Sequence, residues 1–427
     1  MLGMFLGLAL LMFLAYKGMS IIWIAPLSAL IVALTGGLAL LPAYTDTYMT
    51  GFVNFTRSWF PAFMLGAIFG KIMEETGMAQ AVANWFAKTV GAKQALLAVI
   101  LGCAILTYGG VSLFVVVFAM YPLAIALFRE ANISRKLIPG AIALGSFTFT
   151  MTALPGTPQI QNLIPMTHFG TTAAAAPVLG IVAALILALG GFFYLKWREA
   201  KLTAAGEVFT EPKQGVKEIN VASLPHPALA FLPLLAVVGT LNLLKWPIVP
   251  ALISGILLTI ALKPSVLNNV VATFNAGANG SIIAIINTSA AVGFGAVVRA
   301  VPAFKQLTDF VMGIEGNPLI SPAVAVNILA GATGSASGGL GIALTALGKE
   351  WMAIAQATGI DPQVFHRITS LSSGGLDTLP HNGAVLTLLA VTGLTHKDSY
   401  IDIAVVSLVN PVIATIVVIA LASLGIV

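Results

Sequence analysis

Polar side chains set inside apolar segments carry the chemistry open to this chain. Two glycine turns bear hydroxyls, Tyr108-Gly109-Gly110-Val111-Ser112 and Gly334-Ser335-Ala336-Ser337. Each is followed by a proline break, Ala153-Leu154-Pro155-Gly156-Thr157-Pro158-Gln159 and Asp377-Thr378-Leu379-Pro380-His381-Asn382. Hydroxyls, side-chain amides and the free N–H groups of a helix start suit a carboxylate, because a helix N-terminus carries partial positive charge. Proline removes a backbone donor, and the carbonyls freed around it can meet a cation or a proton-bearing water. An acid inside a membrane span is costly and marks an ion or proton path, and histidine titrates near neutral pH. Asp377 and His381 are therefore the candidate proton-coupling groups. Gly109, Gly110, Ser112, Thr157, Gln159, Gly334, Ser335, Ser337, Thr378 and Asn382 are the candidate substrate contacts. Close helix packing is the competing reading of the turns. A packing kink is that of the breaks, although a kink needs one proline and not the polar groups around it. Arg367, near the start of the second broken segment, reads as an arginine reaching for the interface.

The two sets share one register. Phe69-Gly70 matches Phe294-Gly295, Gly109 matches Gly334, Ser112 matches Ser337 and Leu154-Pro155 matches Leu379-Pro380, all at one ungapped offset. Interrupted apolar segments at corresponding places in two halves point to the substrate site of a secondary transporter. Irregular backbone at membrane depth must face protein or a water-filled cavity rather than lipid.

The elements that must hold these groups are membrane helices. Of 427 residues 58% are hydrophobic and 8% charged, against roughly 25% charged in soluble domains; mean hydropathy is +0.99. The net charge of +5 belongs to short loops and is no nucleic-acid signature. The single cysteine, Cys103, excludes an intramolecular disulfide. Met1 to Tyr16 lacks a preceding basic residue and a small-residue cleavage site, so it reads as a retained helix and not a signal peptide. Spans are expected at 2–16, 20–42 and 58–74, with the polar Tyr44-Thr45-Asp46-Thr47 as a connection and 78–91 as an interfacial helix. A re-entrant hairpin at 94–128, a broken crossing at 137–168 and a clean span at 171–195 complete an N-terminal repeat, 1–198.

A polar linker, 199–225, leads to the C-terminal repeat, 226–427. This has spans near 227–243, 247–262 and 281–298, an interfacial segment at 299–315, a hairpin at 318–352, a broken helix at 363–394 and a last span at 400–426. The fold class expected is all-α and polytopic, each half having five crossings and one hairpin. Five is odd, so the halves take opposite orientations, an inverted repeat. With the N-terminus outside, Arg57, Lys245, Arg299, Lys305, Lys349 and Arg367 lie outside and the remaining majority of the 20 Lys and Arg lie inside, the bias that orients membrane proteins. No phosphate loop, zinc-type His/Cys spacing or G-x-S-x-G occurs, so no enzyme is read and no cofactor or metal is expected.

The stretches Phe63-Met64-Leu65-Gly66-Ala67-Ile68-Phe69-Gly70-Lys71-Ile72-Met73, Gly77-Met78-Ala79-Gln80, Ala131-Asn132-Ile133 and Gly334-Ser335-Ala336-Ser337 resemble the gluconate permease family of the ion transporter superfamily. The resemblance covers essentially the whole chain, with loose motifs. It implies proton-coupled uptake of small sugar acids or hydroxy acids by a dimer in a bacterial inner membrane, with a scaffold and an elevator-like mobile domain. Tyr108 to Phe128 carries no acid, Ile328-Leu329-Ala330 is apolar, and His381-Asn382-Gly383 follows the second break. These departures favour a shorter, less polar anion such as hydroxybutyrate or lactate. The leading expectation is a proton-coupled symporter of a small carboxylate. A sodium-coupled carrier, a cation/proton antiporter and a channel compete with it.

Overall fold

The computed structural model describes residues 2–17, 19–212, 221–306, 317–380 and 382–427. Ordered structure there is helical, with no strand among the described residues. Leu2–Tyr16 and Ile21–Thr35 form the first two helices, the second capped by the Ser20 side chain. The expected connection at Tyr44–Thr47 is instead helical. Ala43–Tyr48 makes wide π-type turns that run without interruption into Met49–Glu75. The Thr45 hydroxyl bonds back to the Leu41 carbonyl at 2.9 Å and the Tyr48 hydroxyl donates to the Ala290 carbonyl at 3.1 Å, so the polar groups are satisfied without leaving the helix.

Met78–Val90 follows, and it meets the next helical stretch, Ala92–Tyr108, at 102°. Ala95–Tyr108 then turns into Leu113–Glu130 and packs against it. A Cβ on Gly102 would meet Met120 Cε at 2.8 Å, a contact before the turn with one after it, so the pair doubles back on itself. The second hairpin, Ile320–Thr333 with Ala336–Thr358, does the same: Trp351 Nε1 donates to Ser321 Oγ at 3.2 Å. Both tips need a left-handed backbone, at Gly110 (φ 95°) and Gly334 (φ 58°), which glycine adopts without a Cβ penalty.

The broken segments are Ile138–Phe147 with the π-turn Phe149–Ala153 before Ile160–Phe169, and Pro362–Ser373 before Gly383–Thr392. Long closing helices follow each: Pro177–Ala204, which runs beyond the expected linker start at 199, and His396–Ala404, continued by a π-turn into Asn410–Ser423. Among the described residues, three helical runs are long and apolar enough to cross a membrane: Pro177–Ala204, Pro264–Ala300 and His396–Ser423. The expected spans 2–16, 20–42, 227–243 and 247–262 contain shorter apolar helices, about 22 Å long at 1.5 Å per residue. These several apolar helices make a polytopic membrane protein. The interfacial segment expected at 299–315 and the linker at 199–225 lie partly outside the described residues.

Packing sorts the helices by place within each half rather than by half. Val270–Ala300, longer than the expected 281–298, lies along Met49–Glu75 and Ile21–Thr35, while Pro227–Asn242 packs on Ile248–Leu262. Small residues allow the approach: a Cβ on Gly277 would sit 2.7 Å from Ile68 Cα. The hairpins, broken segments and closing helices of both halves form the other group. Ile160–Phe169 packs on Pro362–Ser373 and Ala336–Thr358, and Pro177–Ala204 on Asn410–Ser423. The groups meet where Val270–Ala300 packs on Ala336–Thr358.

Beyond Ala204 the chain lies against the basic end of the first hairpin. Glu211 receives two hydrogen bonds from Arg129, at 2.7 and 2.8 Å, and Glu207 pairs with Lys136.

Candidate functional site

Both tips and both breaks open on one cavity of about 620 Å³. Gly110, Ser112, Gly334, Ser335 and Ser337 line it from the tips, and Gln159, Asp377 and Asn382 from the breaks. Ala62, Phe63, Gly66 and Ala67 of Met49–Glu75 and a stripe of Val270–Ala300 close the other side. No Lys, Arg or His is among the described lining residues.

Three of the proposed contacts lie elsewhere. Gly109 faces Leu234, whose Cδ2 a Cβ would meet at 2.6 Å. Thr157 is buried and donates to the Thr150 carbonyl at 2.7 Å. Thr378 is buried against the last helix, donating to the Ser407 carbonyl at 3.0 Å. His381 lies outside the described residues.

Hydrogen bonds hold each break to its own hairpin. Gln159 Nε2 donates to the Thr107 carbonyl at 2.6 Å, and the Tyr108 hydroxyl to the Pro155 carbonyl at 2.9 Å. Asn382 Nδ2 donates to the carbonyls of Gly334 and Asp377, both at 2.9 Å. Asn382 Oδ1 also caps Gly383–Thr392, accepting from the amides of Ala384 at 2.6 Å and Val385 at 2.9 Å. Its side chain therefore has structural work as well as a place in the wall. Ser335 caps its own helix by accepting from the Gly338 amide at 3.1 Å. Ser337 stands within 3.2 Å of the Thr288 hydroxyl, a contact from the tip to the long helix opposite.

Asp377 is 5% exposed, and its Oδ1 has no hydrogen-bond partner among the described residues. A buried acceptor left open is costly unless a ligand, proton or water completes it.

The arginine expected at the interface is in the core. Arg367 is fully buried and forms no ion pair among the described residues. It donates to the Ala175 carbonyl at 2.6 and 3.2 Å and to Asn162 Oδ1 at 3.0 Å, and it reaches the Thr152 carbonyl at 3.5 Å. Ser370 donates to the same Thr152 carbonyl at 2.9 Å, while His366, also buried, bonds Thr171 at 2.6 Å and Asn162 at 3.2 Å. The break of the first half supplies a nest of bare carbonyls, and a guanidinium with its five donors fits it where a reach to water would leave them unpaired.

Sequence reasoning passed over Asn287 and Thr288, which line the cavity from Val270–Ala300. Asn287-Thr288-Ser289 is a run of three polar residues inside an expected span, and that was the available signal. It also passed over Asp402, which is buried and held by Arg198 at 2.7 Å and by the Tyr194 hydroxyl at 2.8 Å. No cluster of three His, Cys, Asp or Glu that could hold a metal occurs among the described residues.

Comparison with known proteins places this architecture. The family model described as GntP family permease matches residues 1–240. The chain is 44% identical to a Bacillus subtilis protein named uncharacterized transporter YxjC, over 98% of both chains. It is 25% identical to a Haemophilus influenzae protein named uncharacterized permease, over 75% of this chain and 72% of that one.

Proposed function

The chain belongs to the GntP permease family and is a membrane transporter rather than an enzyme, and from that premise we propose that it is a proton-coupled symporter of a small organic anion. The anion is a gluconate-like sugar acid or a short hydroxy-monocarboxylate. The observation that carries this reading is the cavity in which two hydroxyl-bearing tips meet two helix breaks, one of them bearing an acid with an open oxygen. The carboxylate sits between the tips, where Ser112 and Ser337 present hydroxyls, and Asp377 carries the coupling proton. An anion arriving beside Asp377 raises its affinity for a proton, so each binding favours the other.

The hydrogen bonds from Gln159 and Asn382 to the tips support treating hairpins and breaks as one mobile unit, with Met49–Glu75 and Val270–Ala300 as scaffold. On this proposal the halves form an inverted repeat, the unit moves as an elevator, and the working form is a homodimer in a bacterial inner membrane.

Sodium is the alternative coupling ion, because hydroxyls of Thr333, Ser335 and Ser337 beside a carboxylate would serve it equally. Purified protein in liposomes decides the matter. Labelled C3–C6 carboxylates should accumulate when the pH is lower outside, without sodium. Accumulation that needs sodium and ignores the pH gradient would establish sodium coupling, and no uptake of any carboxylate under either gradient would refute the anion reading.

A further inference from the structure

Two residues of the cavity wall each carry a buried acceptor with nothing to accept from. Asp377 Oδ1 is one and Asn287 Oδ1 the other; each is buried and without a hydrogen-bond partner among the described residues. They stand on different packing groups, Asp377 at the second break and Asn287 on Val270–Ala300. The wall this helix gives the cavity mixes the small residues Gly280, Ser281, Ala284 and Ala291 with Ile283, Asn287 and Thr288. Thr288, next in sequence, lies 3.2 Å from Ser337 at the second tip. A ligand held at that tip therefore lies against the helix that carries Asn287.

A carboxylate has acceptors only, so it cannot satisfy an open amide oxygen. What completes Asn287 is a donor on the ligand, and on an organic anion that donor is a hydroxyl.

We propose that Asn287 is a specificity-determining residue that accepts a hydrogen bond from a ligand hydroxyl and so selects hydroxylated acids over their unsubstituted counterparts. The proposal rests on the small-anion reading of the same cavity and adds to it the chemistry that the scaffold side of the wall reads. A site built to bond a hydroxyl rejects the analogue lacking it, because the buried polar group is then left open. The reverse discrimination, against an added hydroxyl in an apolar pocket, is weak. The preference therefore belongs to the amide and not to the size of the cavity.

The test is a binding ratio. Purified protein is titrated by thermal shift with matched pairs of C3–C6 monocarboxylates that differ by one hydroxyl, at the 2- or 3-position. The wild type should bind the hydroxylated member of at least one pair about tenfold tighter or more. In Asn287→Ala, and in Asn287→Leu should the first variant fold poorly, the ratio for that pair should shrink to within about twofold, through loss on the hydroxylated member. A ratio unchanged in a folded variant overturns the role of Asn287. Wild type that binds both members of every pair equally also overturns it, while leaving the small-anion reading standing. Wild type that binds no carboxylate overturns both.

Discussion

Asn382 donates its side-chain amide to the carbonyl oxygen of Gly334 at 2.9 Å, fastening the second break to the tip of the second hairpin. Gln159 does the same for the first half at the Thr107 carbonyl. In both, a side chain beyond the proline reaches back to a carbonyl at or just before a glycine tip. Each break is thus tied to its own hairpin by a side-chain amide.

Asn382→Ala should cost stability as the loss of a helix cap does, about 1–2 kcal/mol. It should also free the Gly334 carbonyl. Amide exchange at 383–386 and at 334–338 should rise together. A rise confined to 383–386 would mean that the tip holds its shape without the bond.

Ser337→Ala should weaken carboxylate binding about tenfold, since a hydrogen bond to a charged group contributes about 1.5–3 kcal/mol. Ser112→Ala should act in the same direction. Thermal-shift titration measures both. Wild-type affinity in the two variants alike would remove the tips from the site.

Asp377→Asn keeps the shape of the side chain and removes the titration. Uphill accumulation driven by a pH gradient should vanish, while counterflow exchange of labelled substrate persists. A variant that still accumulates substrate with wild-type pH dependence would place the coupling proton elsewhere.

Arg367→Leu should lower stability by about 3 kcal/mol or more, because it leaves the carbonyls of Ala175 and Thr152 and the oxygen of Asn162 with fewer donors. Arg367→Lys should fall between, keeping the charge but not the fork that reaches several acceptors at once. Melting temperature in detergent reads both. An undisturbed Arg367→Leu would show that water replaces the guanidinium.

The Arg129 guanidinium holds the exposed Glu211 carboxyl below its usual range, chiefly through the direct hydrogen bond. A carboxylate with a depressed folded value contributes above its unfolded pKa, about 4.3 for Glu, and the contribution is lost as pH falls through the folded value. Amide exchange over 205–212, corrected for its intrinsic pH dependence, should therefore rise as pH falls below about 4. Glu211→Gln should show that rise already at pH 7. Equal exchange in the variant and wild type at pH 7 would count against the clasp.

The parts of the fold legible in the sequence are those written as contrast. Glycine and proline against an apolar background marked both tips and both breaks. Tyr44–Thr47 misled because polarity was read as a loop, whereas a helix can satisfy polar side chains through its own carbonyls and a partner such as Ala290. Arg367 misled for a related reason. Two of its partners, the carbonyls of Thr152 and Ala175, lie about two hundred positions earlier in the chain and are backbone oxygens, which no residue type announces. Asn287 carried a readable signal, but only the cavity distinguishes a polar residue facing ligand from one facing a helix.

The segment Pro362–Ser373 buries His366, Arg367, Thr369, Ser370, Ser372 and Ser373. Lipid would not accept such a stretch alone, since an arginine at the centre of a helix costs about 2.5–3.5 kcal/mol on insertion scales. The acceptors that offset this cost, Thr152, Asn162 and Ala175, belong to the first half. Biogenesis should therefore be ordered, the amino-terminal half being seated in the bilayer before this late segment leaves the insertion machinery. A C-terminal fragment expressed by itself should stall at this segment, and co-expression with the first half should rescue it.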